Sequence, residues 1–269
     1  MTTKRTPVVF IHGLWLHSTS WRAWAERFRE AGFEPVLPEW PGVPDTVLAA
    51  RRQPEPQSGV GLAEIAEAHV RAIRELPSPP VLIGHSVGGF ITQHLLGEGL
   101  AAAAVAIAPA PIKGVKAVGP AQAKSTFAFL RNPANIKRVV SLNQARFRYA
   151  FANTVPLKES EDLFAAWTIP SPARPLFQLT LGNVTPNSAA KVATENQSRG
   201  PLLLLSGKAD HTVPDVLTRA TFKRYAKSRA TTEYRCFEDR GHSLILDHGW
   251  PEIADASLSW LADAGFPRT

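Results

Sequence analysis

The chain has 269 residues, of which 44% are hydrophobic and 20% charged, with a formal net charge of +7. That length and apolar content bury a sizeable core, either as one large domain or as a core with an insertion, and exclude disordered and fibrous classes. The basic residues are scattered, with only short pairs such as Arg51-Arg52 and Lys223-Arg224, so the charge reads as a solvated surface, and neither nucleic acid nor membrane is expected as a partner.

Nowhere do about 18 apolar residues run together, as a membrane-spanning helix requires, and "AAAAVAIAPA" is too short and stopped by proline. The opening "MTTKRTPVVFIHG" lacks the long apolar segment and cleavage site of a secretory signal, and the single Cys236 has no intramolecular disulfide partner. A reducing cytoplasm is the expected location.

The first predicted strand is "VVFI" at 8–11, which runs into the His12-Gly13 turn of "FIHGLW". Trp21, Trp24 and Phe28 then share one helix face ahead of Gly32, and "PVLP" at 35–38 reads as the next strand. "RRQPEPQSG" at 51–59 reads as a polar, proline-containing loop without assignable chemistry. Leu62, Ile65, His69, Ile73 and Leu76 form the stripe of another helix ending near Pro77, with His69 as a packed residue.

"VLIG" at 81–84 and "AVAIA" at 104–108 are short apolar runs of the kind found in strands buried on both faces. From about 112 to 198 the rhythm breaks: helix-like segments such as "LNQARFRYAFAN" and "ESEDLFAAW" are separated by proline-rich joints, including "IPSPARP". This predicts a helical cap over 112–198 inserted into a core made of 1–111 and 199–269. Within it, Phe147, Tyr149, Phe151, Arg146 and Arg148 could face a substrate, but aromatics at this density are first explained as cap core. "LLLLS" at 202–206 is a further buried strand, whereas "TEYRCF" at 232–237 alternates and suits the end of a sheet.

Strand and helix therefore alternate. The fold class expected is α/β, a mainly parallel sheet of about six strands with right-handed crossovers, helices on both faces and the inserted cap. Function in such sheets sits at the carboxyl ends of the strands.

Those ends carry complementary groups. After 81–84 the chain must turn sharply into a helix starting near Val87, which places Ser86 in a strained conformation with Gly84 and Gly88 supplying room. Taken alone, Ser86 is as well explained as a helix cap. As a nucleophile it would project at the helix amino end, where the dipole and the Val87 amide favour a negative intermediate. A serine hydroxyl needs a proton acceptor, for which His242 in "DRGHSL" is the candidate, and that imidazole needs a carboxylate, for which Asp210 follows the strand at 202–206. Asp239 and Asp247 lie nearer His242 in sequence and compete with Asp210, while His248 reads as structural or exposed. The turn after 8–11 could present the Leu14 amide as a second oxyanion donor, with Trp15 a less favoured donor and a pocket-lining residue. His12 and His85 read as supports, and Asp210-His211 lacks the second ligand pair of a metal site, so neither metal nor cofactor is expected.

The order Ser86, Asp210, His242 resembles the α/β-hydrolase superfamily over nearly the whole chain, and in particular compact cap-bearing members similar to plant methylesterases and hydroxynitrile lyases. The resemblance implies Ser86 as nucleophile, His242 as base, Asp210 as its orienting acid, and the Leu14 and Val87 amides as oxyanion hole. The reading that follows is a cofactor-independent serine hydrolase of small esters or lactones working through an acyl-enzyme. Carbon-carbon bond hydrolysis, amide hydrolysis, perhydrolysis and cyanohydrin cleavage share such triads, and a small-ligand receptor could use the same fold. Serine at 86 departs from the aspartate of epoxide hydrolases and haloalkane dehalogenases, and Ser243 stands where the lyases carry a lysine.

Overall fold

The structure, a computed structural model, describes residues 5–116 and 119–267. Its frame is a parallel sheet of six strands in the order β2-β1-β3-β4-β7-β8. The strands are β1 (Thr6–Ile11), β2 (Phe33–Val36), β3 (Val81–His85), β4 (Ala103–Ile107), β7 (Leu202–Gly207) and β8 (Thr232–Phe237). Beyond Thr6, every residue of β1, β3, β4 and β7 is buried, which is why these runs contain almost nothing but aliphatic side chains. β8 lies at one edge and alternates half-buried with exposed positions over Thr232 to Cys236, as its sequence pattern predicts.

The helices are α1 (Arg22–Glu30), α2 (Val47–Arg52), α3 (Leu62–Arg74), α4 (Val87–Gly97), α5 (Pro120–Leu130), α6 (Gln144–Ala150), α7 (Leu157–Trp167), α8 (Arg174–Thr180), α9 (Asp215–Arg224) and α10 (Trp250–Asp263). The chain steps one way from β1 to β2 and the other way from β2 to β3 and onward. Right-handed crossovers therefore put α1 on one face and α3, α4 and α9 on the opposite one. The α1 side is closed by α10, with Trp24 Nε1 donating to the Ile245 carbonyl at 3.0 Å and an Arg27–Asp255 ion pair bridging the helices. Trp21, Trp24 and Phe28, the face expected from sequence, are buried around Phe10, whose ring lies 5.3 Å from that of Phe28.

Three expectations need correction. The second strand is Phe33–Val36 rather than 35–38: Gly32, at φ 91°, ends α1 in a tight turn and pairing with β1 starts at once, while Pro35 is tolerated because β2 is an edge. The stretch 51–59 is not a plain loop, because Arg51 and Arg52 close α2, whose first turn is capped by the Thr46 hydroxyl on Ala49 N–H, and a 3-10 turn follows at Glu55–Gln57. The region between β4 and β7 holds, besides α5 to α8, a two-stranded antiparallel ribbon of β5 (Val139–Val140) and β6 (Ser171–Pro172).

His69 on α3 is fully buried and donates Nδ1–H to the Ile65 carbonyl at 2.8 Å. Burial pushes its pKa down to about 4, opposed by the Ile65 hydrogen bond, assisted by nearby His12 and opposed by Glu39. Folding thus favours the neutral ring, so this contribution to stability is complete above the ordinary value of 6.5 and is lost as the pH falls toward 4. Thermal melts between pH 7 and pH 4.5 should show a declining midpoint, and His69→Leu should flatten that decline; an unchanged slope in the variant would refute the assignment.

Candidate active site

The strand order reverses between β1 and β3, and outside their carboxyl ends lies the crevice where parallel α/β sheets bind ligands. Ser86 sits there between β3 and α4, with φ 57° and ψ −119°, a conformation that costs a non-glycine residue roughly 1–3 kcal/mol. The turn is held from three sides: Ser86 N–H donates to the Ile107 carbonyl at 3.0 Å, and its own carbonyl accepts from Phe90 at 3.1 Å and Ala110 at 2.8 Å. The first turn of α4 crosses the end of β1 so closely that a Cβ at Gly88 would collide with the Ile11 carbonyl. Val87 is the first residue of α4, so its N–H has no helical partner and points toward the strand ends.

The loop after β1 meets this turn directly, since a Cβ at Gly13 would stand 2.9 Å from the Ser86 Cβ. Leu14 N–H has no hydrogen-bond partner among the described residues, whereas Trp15 N–H is already committed to Ser171 Oγ at 2.7 Å. Of the two donors weighed from sequence, then, only Leu14 is open. Beneath the loop, Glu39 gathers His12 at 3.3 Å and His17 at 3.2 Å, accepts from Ser18 N–H at 3.2 Å and is bonded by the Ser18 hydroxyl, while the His12 ring stacks on Trp40. Burial raises the Glu39 pKa, but the polar contact and charge of His12, the Ser18 hydroxyl and the charge of His17 outweigh it and hold the group below its ordinary value. Sequence reading missed Glu39, whose only signal was an acidic residue between apolar neighbours in "PEWPG".

Asp210 and His242 are buried together, with His242 Nδ1 2.6 Å from Asp210 Oδ2. With Nδ1 facing the carboxylate, the ring turns Nε2 the other way. The second Asp210 oxygen accepts from the Thr212 and Val213 amides, both at 2.7 Å, which restrains the carboxylate beside the imidazole. His242 Nε2 is buried without a partner among the described residues. It makes no hydrogen bond to Ser86.

His85, the neighbour of Ser86, ties the two halves of the site together. Its ring lies 4.5 Å from that of His242, and its Nε2–H donates to the His242 carbonyl at 3.0 Å. Burial, then the proximity of His242, drives the His85 pKa well below its ordinary value despite that bond, so the ring is neutral and its role is support. The competing carboxylates are elsewhere: Asp239 is exposed, and Asp247 accepts from Ser243 Oγ at 2.7 Å and Gly249 N–H at 3.1 Å. His248 is exposed against Glu159, 2.9 Å away.

A chamber of about 150 Å³ opens on Ser86, Leu14, Val87 and Trp15 and is walled mainly by α5 and α8. Four of its polar side chains bond outward, Ser125 to the Ala121 or His211 carbonyls, Thr126 to Gln122, Thr212 to Ala150 and Asn183 to Val115, while Lys116 and Thr180 also line it. The chamber thus faces a ligand with mostly apolar surface, and Gln122 Oε1 is the buried acceptor left unpaired there among the described residues. Phe147, Tyr149, Phe151, Arg146 and Arg148 do not line it; Phe147 and Phe151 are buried and stacked, and Phe151 packs edge-on against His242. Among the described residues, no group of three or more His, Cys, Asp or Glu is arranged to hold a metal ion, and no helix is long and apolar enough to cross a membrane.

The sequence profile of the alpha/beta hydrolase family matches residues 8–256, and the protein belongs to that family. Among solved structures it is similar to a monoacylglycerol lipase from Paleococcus ferrophilus, with 22% identity over 96% of this chain and 94% of the other and a TM-score of 0.68. It is also similar to an extracellular alpha/beta-hydrolase from a Paenibacillus species, described as sharing structural and functional homology with tobacco salicylic acid-binding protein 2, with 19% identity over 94% and 98% of the two chains and a TM-score of 0.70. A methylesterase from Arabidopsis gives 14% identity over 96% and 99% and a TM-score of 0.67. At these identities the likeness establishes the fold. No curated protein matches significantly.

The contact of α4 with β1 yields a test. Gly88→Ala should force the elbow away from the Ile11 carbonyl, lowering stability by about 1–3 kcal/mol. A melting midpoint equal to wild type would show that the two backbones have more room than this packing allows.

Proposed function

We propose that the protein is a cofactor-independent serine hydrolase of small carboxylic esters or lactones. The observation that carries the reading is a strained Ser86 at a strand-to-helix turn, with a buried His242–Asp210 pair packed against the adjoining residue, His85. In this mechanism His242 Nε2 takes the Ser86 proton as Oγ attacks the substrate carbonyl, and Asp210 stabilises the resulting imidazolium. The Leu14 and Val87 amides receive the developing oxyanion, aided by the positive end of α4. Collapse to an acyl-enzyme expels the alcohol, protonated by His242, and the same imidazole then activates water to release the acid. Residues 112–198 act as the cap that shapes the chamber and limits water.

Two further observations support esters over the other reactions open to such a triad. The chamber offers apolar walls and little hydrogen bonding, which suits an acyl or alcohol group without polar decoration. The position after His242 holds Ser243, whose hydroxyl donates to Asp247, and not the lysine that would assist a cyanide leaving group there.

Ser86→Ala should lower ester turnover by about 10³-fold or more, and His242→Ala by a comparable factor. Retained turnover in either variant would refute the assigned roles. A cavity of about 150 Å³ holds roughly a benzene-sized group. Across 4-nitrophenyl esters, kcat/KM should therefore peak near butyryl to hexanoyl and fall for decanoyl; a steady rise with chain length would show a larger, open site.

A further inference from the structure

Trp15 is the residue after the open Leu14 amide, and it stands at φ 64°, a left-handed conformation that bulky side chains rarely adopt. Such a conformation persists only where the surroundings determine it. Every polar atom of Trp15 is held, and always by residues more than a hundred positions away. Its N–H donates to Ser171 Oγ at 2.7 Å, its carbonyl accepts from Ile169 N–H at 2.9 Å, and its indole N–H donates to the Val140 carbonyl at 3.2 Å. The pairing continues with a bridge between Leu16 and Thr168 and with His17 N–H on the Trp167 carbonyl at 3.2 Å. Both Val140 and Ser171 belong to the β5–β6 ribbon, where they are register partners.

We infer that this ribbon is the clamp that sets the oxyanion donor, with Ser171 as the positioning residue. The inference rests on the proposed hydrolase mechanism and extends it. The Leu14 N–H lies in the planar Gly13–Leu14 peptide and can swing only by turning about Gly13 ψ and Leu14 φ. On one side Gly13 is pressed against Ser86, and on the other the Leu14–Trp15 peptide is fixed by the Ser171 hydroxyl. Ser171 is itself preset: it is buried and lies between Pro170 and Pro172, whose rings restrict the backbone on both sides, so its hydroxyl is placed with little entropy left to lose. The ribbon's approach is fixed in turn by Arg51, which donates to the Thr168 carbonyl at 2.8 Å and to the Phe164 and Ala165 carbonyls at 3.1 and 2.8 Å, holding the last turn of α7. The insertion therefore does more than roof the chamber, because it supplies the contact that aims one of the two donors.

The test compares Ser171→Ala and the shape-conserving Ser171→Cys, a weak acceptor, with wild type and Ser86→Ala. The readouts are ester kinetics, melting temperature and inhibition by an alkyl trifluoromethyl ketone. That ketone reports on the donor directly: Ser86 Oγ bonds to its carbonyl carbon, the carbonyl electron pair moves onto oxygen, and the Ser86 proton passes to His242. Both Ser171 variants should lower kcat about tenfold, part of the ~10²–10³ lost when a whole oxyanion donor is removed. The inhibition constant for the ketone should rise by a similar factor, with KM for the ester changed less than about twofold. A lower melting temperature with unchanged kcat and ketone affinity would overturn the clamp, since a merely structural hydroxyl would give that result. Ester cleavage surviving in Ser86→Ala would overturn the underlying mechanism and the clamp with it, whereas a dead Ser86→Ala beside fully active Ser171 variants would overturn the clamp alone.

Discussion

The approach of α4 to the end of β1 is the constraint on which the rest of the site depends. Gly88 brings backbone against the Ile11 carbonyl, and that distance determines how sharply the chain must turn at Ser86. A wider separation would let the turn relax into ordinary helix-cap geometry, with the hydroxyl folded back on α4 and not lifted into the crevice. The strain at φ 57° is therefore a consequence of packing between a buried strand and the first turn of a helix, and the three hydrogen bonds around Ser86 hold it in place.

The same crossing explains why the polar groups converge. The strand ends of β1, β3 and β7 lie side by side in the sheet, or one strand apart, so side chains just beyond them share one crevice although they are distant in sequence. His85 makes this coupling explicit, because a residue fixed by the elbow donates to the main chain of His242 and carries its ring. Geometry at Ser86 and at the His242 imidazole is thus one problem, and His85, whose buried ring is held neutral, braces the two.

Much of this was legible in the sequence, for identifiable reasons. Short aliphatic runs announce strands buried on both faces, and "VLIGHSVGG" joins such a run to glycines that only a close backbone crossing requires. Asp210 and His242 could be placed because each follows a strand signal, and the structure brings these two within 2.6 Å. What stayed hidden depends on contacts between distant segments. Nothing local marks Val139–Val140 and Ser171–Pro172 as strands, since each is two residues long and exists only as the other's partner. Arg51 is exposed, as one of a pair of surface charges should be, and nothing in the sequence showed that it also donates to the carbonyls closing α7. The aromatic density around α6 was read first as interior packing, and Phe147 and Phe151 are indeed buried, but nothing in the sequence marked the blander residues of α5 and α8 that line the chamber.

A division of labour follows from how each part is held. The parallel core supplies groups that follow directly on fully buried strands, and it buries the Asp210–His242 pair where two amides satisfy the carboxylate oxygen that the imidazole leaves free. Leaving that oxygen unpaired in such surroundings would cost about 1–3 kcal/mol or more, so the Thr212 and Val213 amides are a condition for having the pair there at all. The Leu14 loop is held from beneath by Glu39 through His12, His17 and Ser18. Further restraint comes from Val140 and Ser171, in the segment between β4 and β7 whose helices α5 and α8 line the chamber, so the segment that shapes the space beside Ser86 also holds the loop that carries the open Leu14 amide.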